Sequence, residues 1–491
     1  MRPAELLLLG TALPLSVALA TGGLAKGRVA RIWYLVVLAA LAVHMALEGL
    51  YWQMATAYVG CLVLTLAIVF AFRWRRVILR VAAGLAALLL FASAAALIVL
   101  PKFRLPKPTG PYAVGTRILH LEDASRPDKE FASGHRELMV QVWYPAQASN
   151  ALFAEYRRAA ETTWLSSYDA VLATHSRQDA PISKSSGPLP ILLFNPAWQG
   201  QRTQNTFETE ELASHGFFVV AIDHTHNSEP IAFPDGRIVD SAGIRDIEDF
   251  AGVSYQQQLD YGNAEANAEA RDDSFVLDAL TRLNADTSSP WYRSLDFNRV
   301  GAFGHSFGGA VSLQAAFLDP RIRAAVNMDG WIFGELWRHN FSKPLLLFYE
   351  DPFPPPAATS QAGLRSGDRN TRLISQLDLD DLANVKRTLS SCGGYVVTIR
   401  GTRHFNFSDR ALYSPIRRLT EAGSISPERA HRIINDYTLA FFNQELNQQL
   451  DPLLREPSAY PETQFKRYAN QDSCQAEPRS GSAPPAATAS N

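Results

Sequence analysis

Arg299-Val300-Gly301-Ala302-Phe303-Gly304-His305-Ser306-Phe307-Gly308-Gly309-Ala310 joins a short apolar run to a stretch with helical spacing, Val311, Leu313, Ala316 and Phe317. Its centre is Gly-x-Ser-x-Gly. A serine held in a sharp turn between a buried strand and a helix exposes its hydroxyl. Strand and helix pack that closely only where the residues two before and two after it are small. Gly304 and Gly308 meet this requirement, and Gly309 and Ala310 extend it. The N-terminus of the following helix places positive dipole beside the serine. The stretch predicts an α/β-hydrolase fold, a doubly wound and mostly parallel sheet, with Ser306 as nucleophile. The competing reading is a tight glycine turn with a bystander serine.

A serine at ordinary pKa needs a general base, and the base needs an orienting carboxylate. In this fold they follow in the order Ser, acid, His. His404 fits the base, in the loop after the apolar run 395–399 and Gly401-Thr402-Arg403. The later His431 lies inside the amphipathic stretch 427–446 and reads as helix surface. Two sites offer the acid: Asp329, just past the run 322–327, and Glu350 with Asp351, at the end of 344–348. Periodicity does not choose between them.

Working outward, apolar runs at 137–144, 190–194, 217–222, 299–303, 322–327, 344–348 and 395–399 read as strands. Stretches 206–215, 268–283 and 427–446 read as helices. Strands alternating with helices indicate an α/β fold with a parallel sheet. The polar region up to about residue 187 reads as an insertion or cap with short helices. Pro352-Phe353-Pro354-Pro355-Pro356 reads as a stiff loop, a plain surface turn or else a lining of the site mouth.

The first hundred residues are of another kind. Four apolar runs, roughly 5–22, 32–50, 54–72 and 81–100, each have the length a helix needs to cross a bilayer. Trp33-Tyr34 and Tyr51-Trp52 are aromatics of the interfacial type. Lys26, Arg28, Arg31, Arg73, Arg75, Arg76 and Arg80 fall in the loops after the first and third runs, against Arg2, Lys102, Arg104 and Lys107 on the other side. Seven basic residues against four predict an integral, multi-pass protein with both termini and the hydrolase domain outside, in the periplasm or extracellular space. His44 and Glu48 are polar groups in a costly place. The expected organisation is a four-helix transmembrane region at 1–100, a linker at 101–111 that reads as an extended juxtamembrane spacer, a hydrolase domain at 112–470 and a disordered tail at 471–491.

Net charge is −2, from 46 basic and 48 acidic residues, so no basic field is available for nucleic acid. Of three cysteines, Cys61 lies in an apolar run, and Cys392 and Cys474 could pair in an oxidising compartment. Asp223-His224-Thr225-His226 has two histidines but no evident third metal ligand, and reads as loop hydrogen bonding. No cofactor and no metal are expected.

Separate motifs resemble the plasma-type (group VII) platelet-activating factor acetylhydrolase family, over roughly 112–442. They are Ala213-Ser214-His215-Gly216-Phe217 leading to Asp223-His224, the elbow around Ser306, Met328-Asp329-Gly330-Trp331-Ile332-Phe333, and His404-Phe405-Asn406-Phe407-Ser408-Asp409. The resemblance implies Asp329 as the acid. It also implies calcium-independent hydrolysis of short or oxidised acyl esters, typically phospholipid sn-2 esters, through an acyl-enzyme. One departure matters. The family's His-Gly-x-Gly oxyanion loop is replaced by Pro196-Ala197-Trp198-Gln199, and Pro196 has no N–H to donate. The expected donors are the backbone N–H groups of Phe307, by elbow geometry, and Trp198, by alignment of the altered loop. The four apolar runs are a second departure. Trp198, Trp331, Phe333 and Phe353 suggest an apolar approach. The alternatives are a general carboxylesterase or a polyester or cutinase-like hydrolase, and, from a different class, a membrane sensor with a degenerate hydrolase domain.

Overall fold

The computed structural model describes residues 2–23, 28–69, 76–128, 131, 133–184, 187–241, 244–339, 341–455 and 459–468. Lys26, Arg73, Arg75, the tail 471–491 and Cys474, with its pairing to Cys392, lie outside the described residues.

Four helices come first: α1 (Pro3–Thr21), α2 (Arg28–Glu48), α3 (Ala55–Val69, entered by the 3-10 turn Trp52–Met54) and α4 (Arg76–Val99). With that turn counted into the third, all four are long and apolar enough to cross a membrane. The buried stripe of α4, Leu79, Ala83, Ala86, Leu90, Ser93 and Leu97, repeats every three or four residues, as a helix seam requires. A Cβ on Gly60 would lie 3.2 Å from the Ala86 carbonyl oxygen, so small residues bring α3 and α4 together. Leu62, Leu88 and Phe91 point away from the bundle and are exposed.

The rest of the chain builds one eleven-stranded sheet and a small hairpin. The strands are β1 (Ala113–Pro127), β2 (His135–Ala146), β3 (Phe153–Glu155), β4 (Ala173–Gln178), β5 (Leu189–Asn195), β6 (Phe218–Asp223), β7 (Ile231–Ala232), β8 (Ile238–Val239), β9 (Leu295–His305), β10 (Ile322–Met328), β11 (Leu345–Tyr349), β12 (Gly394–Ile399) and β13 (Thr463–Tyr468). The sheet order is β13-β12-β11-β10-β9-β5-β6-β2-β1-β4-β3, and β7 pairs with β8. From β6 to β12 all neighbours are parallel; β2 and β13 join antiparallel at the two sides. The central strands are apolar throughout because both sheet faces are covered. Leu192, Phe194, Phe303, Val326 and Phe348 face α5 (Thr206–Ser214) and α11 (Pro427–Asn447). Ile191, Leu193, Ala302, Ala325 and Leu347 face α6 (Tyr255–Ala285), α7 (Phe307–Leu318) and α9 (Arg369–Cys392). Helices α8 (Ala357–Leu364) and α10 (Arg417–Thr420) are short. The chain turns to opposite sides after β5 and β9, and the gap beyond the carboxyl ends of those strands is where such sheets bind ligands.

Several expectations need correction. The region up to residue 187 has short 3-10 helices at Ala159–Glu161 and Ser167–Val171 but also adds β3 and β4 to the sheet edge, which its poor periodicity did not suggest. Helix α6 begins at Tyr255, because its first half is polar and shows little apolar spacing. His431 is fully buried, stacked on Phe207 at 3.8 Å with its Nε2–H donated to the Ser408 carbonyl. The extended stretch 101–111 is held against the hydrolase domain. Phe103 stacks on Tyr413, the Thr109 N–H is donated to Glu211 (2.7 Å) and the Gly110 N–H to Ser214 Oγ (3.0 Å).

Candidate active site

Ser306 sits between β9 and α7 with φ 57° and ψ −127°, a strained left-handed conformation that a non-glycine residue keeps only when its surroundings impose it. Here the Ser306 N–H is donated to the Met328 carbonyl (2.8 Å) and the Ser306 carbonyl accepts from the Gly309 N–H (2.9 Å). The glycines make room. A Cβ on Gly304 would lie 2.2 Å from the Gly308 carbonyl oxygen, and one on Gly308 would lie 2.1 Å from that of Asn195.

Strand β10 runs parallel beside β9 with Met328 opposite His305, so the residue after each strand meets the other at the sheet end. That residue is Asp329, itself at φ 59°. Its Oδ1 accepts the Glu350 backbone N–H (2.8 Å), and its Oδ2 accepts from His404 Nδ1 (2.7 Å). Glu350 and Asp351 take different parts. The carboxylate of Glu350 accepts the His404 backbone N–H (2.7 Å) and that of Asp351 accepts the Gly401 N–H (3.1 Å). Both hold the histidine loop by its main chain, whereas Asp329 holds the ring.

The charge environment is uneven. Burial works against a charged His404 ring, but the hydrogen bond and charge of Asp329, with the charges of Glu350 and Glu248, outweigh it and raise its pKa above the ordinary imidazole value. Burial and the neighbouring Asp329 charge raise the Glu350 carboxyl, with His404 opposing.

A second histidine braces the first. His305 is fully buried; its Nε2 meets the His404 carbonyl oxygen (3.0 Å) and its Nδ1 meets Gln204 Nε2 (2.8 Å). The carbonyl can only accept, so Nε2 carries the proton and Nδ1 accepts from the Gln204 amide. Burial and the nearby His404 push the His305 pKa well below the usual value, keeping the ring neutral. Gln204 Oε1 in turn accepts the Ala197 N–H (3.2 Å). A continuous chain thus runs from the loop after β5 to the loop after β12. Sequence reasoning missed Gln204 and the part played by His305. The elbow motif leaves the residue before the serine open, and no spacing rule links either residue to position 404.

In the loop after β5, the Gly200 N–H is donated to the Ala197 carbonyl (2.6 Å), closing a turn with Gln199 at φ 56°. Trp198 occupies the turn position whose N–H is not consumed by that bond. Its ring packs edge-on to Phe307 at 4.8 Å and to Tyr261 at 5.8 Å, so the side chains of the two residues expected to donate to the oxyanion are in contact. His224 bonds Asn195 and Asp272 (both 3.0 Å) and His226 bonds Asp128 (2.8 Å).

Two cavities meet at Ser306. The inner one, about 260 Å³, is lined by Phe307, Asp329, Trp331, Phe333, Tyr349 and His404, with Pro352, Phe353 and Pro355 closing it. Of the two readings of the proline-rich stretch, the lining of the site is the one found: it walls this cavity, with Phe353 stacked on Tyr349 at 3.6 Å. The outer one, about 940 Å³, includes Trp198, Glu248, His404, Arg403, Arg417 and Arg418.

Sheet order, elbow and relatives together define a carboxylic ester hydrolase of the α/β-hydrolase class. The chain belongs to the family described as platelet-activating factor acetylhydrolase, isoform II, whose profile matches residues 97–234 and 290–455, more than half of it. It is similar to a probable 1-alkyl-2-acetylglycerophosphocholine esterase of Arthroderma benhamiae, 27% identical over 268 residues, which are 50% of this chain and 64% of that protein. The platelet-activating factor acetylhydrolase of Gallus gallus is 23% identical over 386 residues, 71% of this chain and 85% of its own. Among solved structures, a ferulic acid esterase from Streptomyces cinnamoneus superposes with a TM-score of 0.58 at 27% identity, over 74% of this chain and 99% of that one.

Proposed function

We propose that the protein is a membrane-anchored serine esterase using Ser306, His404 and Asp329 on short or oxidised acyl esters, phospholipid sn-2 esters in particular. The observation that carries this reading is the His404 Nδ1–Asp329 Oδ2 bond of 2.7 Å beside a strained serine on the same cavity. His404 Nε2 takes the Ser306 hydroxyl proton while Oγ attacks the ester carbonyl carbon. The Phe307 and Trp198 N–H groups stabilise the oxyanion. The C–O bond to the alcohol breaks, His404 returns the proton to the departing oxygen, and an acyl-enzyme remains. Water, deprotonated by the same His404, then releases the acid. The inner cavity of about 260 Å³ is smaller than the roughly 300–1,000 Å³ that houses drug-sized ligands, which favours a short acyl group. The names of the fungal and avian relatives point the same way. The four apolar helices supply the anchor, with the hydrolase domain at the outer leaflet.

The test is a fluorophosphonate probe on the full-length protein and on Ser306→Ala. The label is expected on Ser306 and absent from the variant. A folded protein that takes no label would favour the non-catalytic sensor. Labelled enzyme is then offered esters of graded acyl length. A preference for long-chain or polyester substrates would instead favour the cutinase-like alternative, which relatives such as cutinase est1 of Thermobifida alba keep open.

A further inference from the structure

The proposed membrane reading and the outer cavity meet at one surface. The hydrolase domain touches the ends of the bundle at Trp52, whose ring lies 5.2 Å from Trp164 and whose Nε1–H is donated to the Leu165 carbonyl (2.9 Å). It touches them again at Val99, the last residue of α4, whose carbonyl accepts from the Ser414 hydroxyl. Trp164, Leu165, Ile416 and Leu419 are exposed around these contacts, as apolar groups at a headgroup boundary would be. Arg417 and Arg418 lie between Ile416 and Leu419, within five residues of Ser414, and both line the outer cavity that reaches Ser306 and His404. Arg403 lines the same cavity.

All three are exposed; Arg417 and Arg418 form no ion pair or side-chain hydrogen bond among the described residues, and the Arg403 charge acts on Glu350. Two acids in this cavity have other partners: Glu421 pairs with Arg410, and Glu350 accepts the His404 N–H and feels the Arg403 charge. Glu248 and Asp246, whose carboxylate accepts the Glu248 N–H (2.9 Å), line the same cavity. A guanidinium binds phosphate bidentately and is the side chain best matched to it.

Resting on the esterase reading above, we infer that Arg417 and Arg418, with Arg403, form a phosphate subsite in the outer cavity. It would hold the phosphodiester of a glycerophospholipid lying in the adjacent leaflet while its sn-2 acyl group enters the inner cavity. Asp246 and Glu248 on the same cavity suit a zwitterionic headgroup, whose cationic end they would meet.

The experiment uses full-length protein in phosphatidylcholine vesicles and two substrates, 1-palmitoyl-2-acetyl-glycerophosphocholine and 1-palmitoyl-2-acetyl-glycerol, which differ by the phosphate and its choline. The quantity read is the ratio of their kcat/KM values. Arg417→Gln with Arg418→Gln is expected to lower that ratio at least tenfold, and Arg417→Lys with Arg418→Lys to lower it less. A ratio unchanged within twofold, with Ser306-dependent hydrolysis of both esters, would remove the subsite and leave the esterase intact. No Ser306-dependent hydrolysis of either ester would remove both readings. Inorganic phosphate and soluble glycerophosphocholine are compared as inhibitors of the wild type. Stronger inhibition by glycerophosphocholine supports a headgroup site, whereas equal inhibition by free phosphate would overturn it.

Discussion

At the scale of residues, two carboxylates touch His404, and their parts differ by the atom each one meets. Asp329 accepts from the ring, so Asp329→Asn is expected to leave the wrong tautomer and lower kcat by about 10³–10⁴, read with any soluble acetyl ester. Glu350→Gln keeps an acceptor for the His404 N–H and should cost far less in turnover, but it should move the pH profile. The sign follows from the base being active only when neutral. A raised His404 pKa places the acid limb of kcat/KM above the usual imidazole value, with activity lost as pH falls through it. Removing the Glu350 charge lowers that pKa and shifts the limb to lower pH. A profile unmoved by the substitution would show that Glu350 carries no charge at working pH. In the sequence, elbow and chain order picked out Ser306 and His404 for the proposed triad, while the acid stayed open between Asp329 and Glu350 with Asp351 and only the resemblance favoured Asp329. Gln204 and His305 were not legible, because their importance is a pair of hydrogen bonds across 101 and 99 residues of sequence.

At the scale of elements, the elbow is a steric statement. A methyl on Gly308 would meet the backbone oxygens of Asn195 and Pro196 at 2.1 and 2.2 Å, and backbone cannot move aside as a side chain can. Gly308→Ala is expected to cost at least the ~1–3 kcal/mol typical of overpacking, seen as a lower denaturation midpoint, and to abolish labelling at Ser306. Helix α5 shows a longer-range dependence. No side chain of its own caps it; instead Asp409, from the histidine loop, accepts the Thr206 (2.8 Å) and Phe207 (3.2 Å) N–H groups. Asp409→Ala strips two buried donors of their acceptor and is expected to cost about 1–3 kcal/mol for each bond left unmade, with Asp409→Asn milder. Stability by urea titration checks both. The His-Phe-Asn-Phe-Ser-Asp segment is thus a clasp as well as a base: Asn406 Oδ1 accepts the Arg403 and Gly423 N–H groups, and Asp409 pins α5. His431 was misread because a polar residue at helical spacing looks solvent-facing until its stacking partner, Phe207, is known.

At the scale of the whole molecule, the proposed anchor and the site make one claim about access. The hydrolase domain meets the bundle through Trp52, Val99 and Phe103, on the side where the outer cavity has Arg417 and Arg418. A protein cut at residue 107 is expected to hydrolyse a water-soluble ester within a few-fold of the full chain. On vesicle phospholipid it should be at least tenfold slower, because each substrate must first leave the bilayer. Equal rates on vesicles would separate the anchor from catalysis. By itself the sequence determined the apolar helices, the parallel centre of the sheet, the serine elbow and the order of the proposed triad. Each of these is written in spacing along the chain: the length of an apolar run, the period of a strand or helix, glycines two residues either side of a serine. Only the tertiary structure decided which carboxylate reaches the histidine ring, that His431 is core, that β1 and β13 extend the sheet, and that a proline loop walls the cavity. Those are contacts between residues tens to hundreds apart in sequence, fixed by how strands stack and loops fold back, and no local pattern carries them.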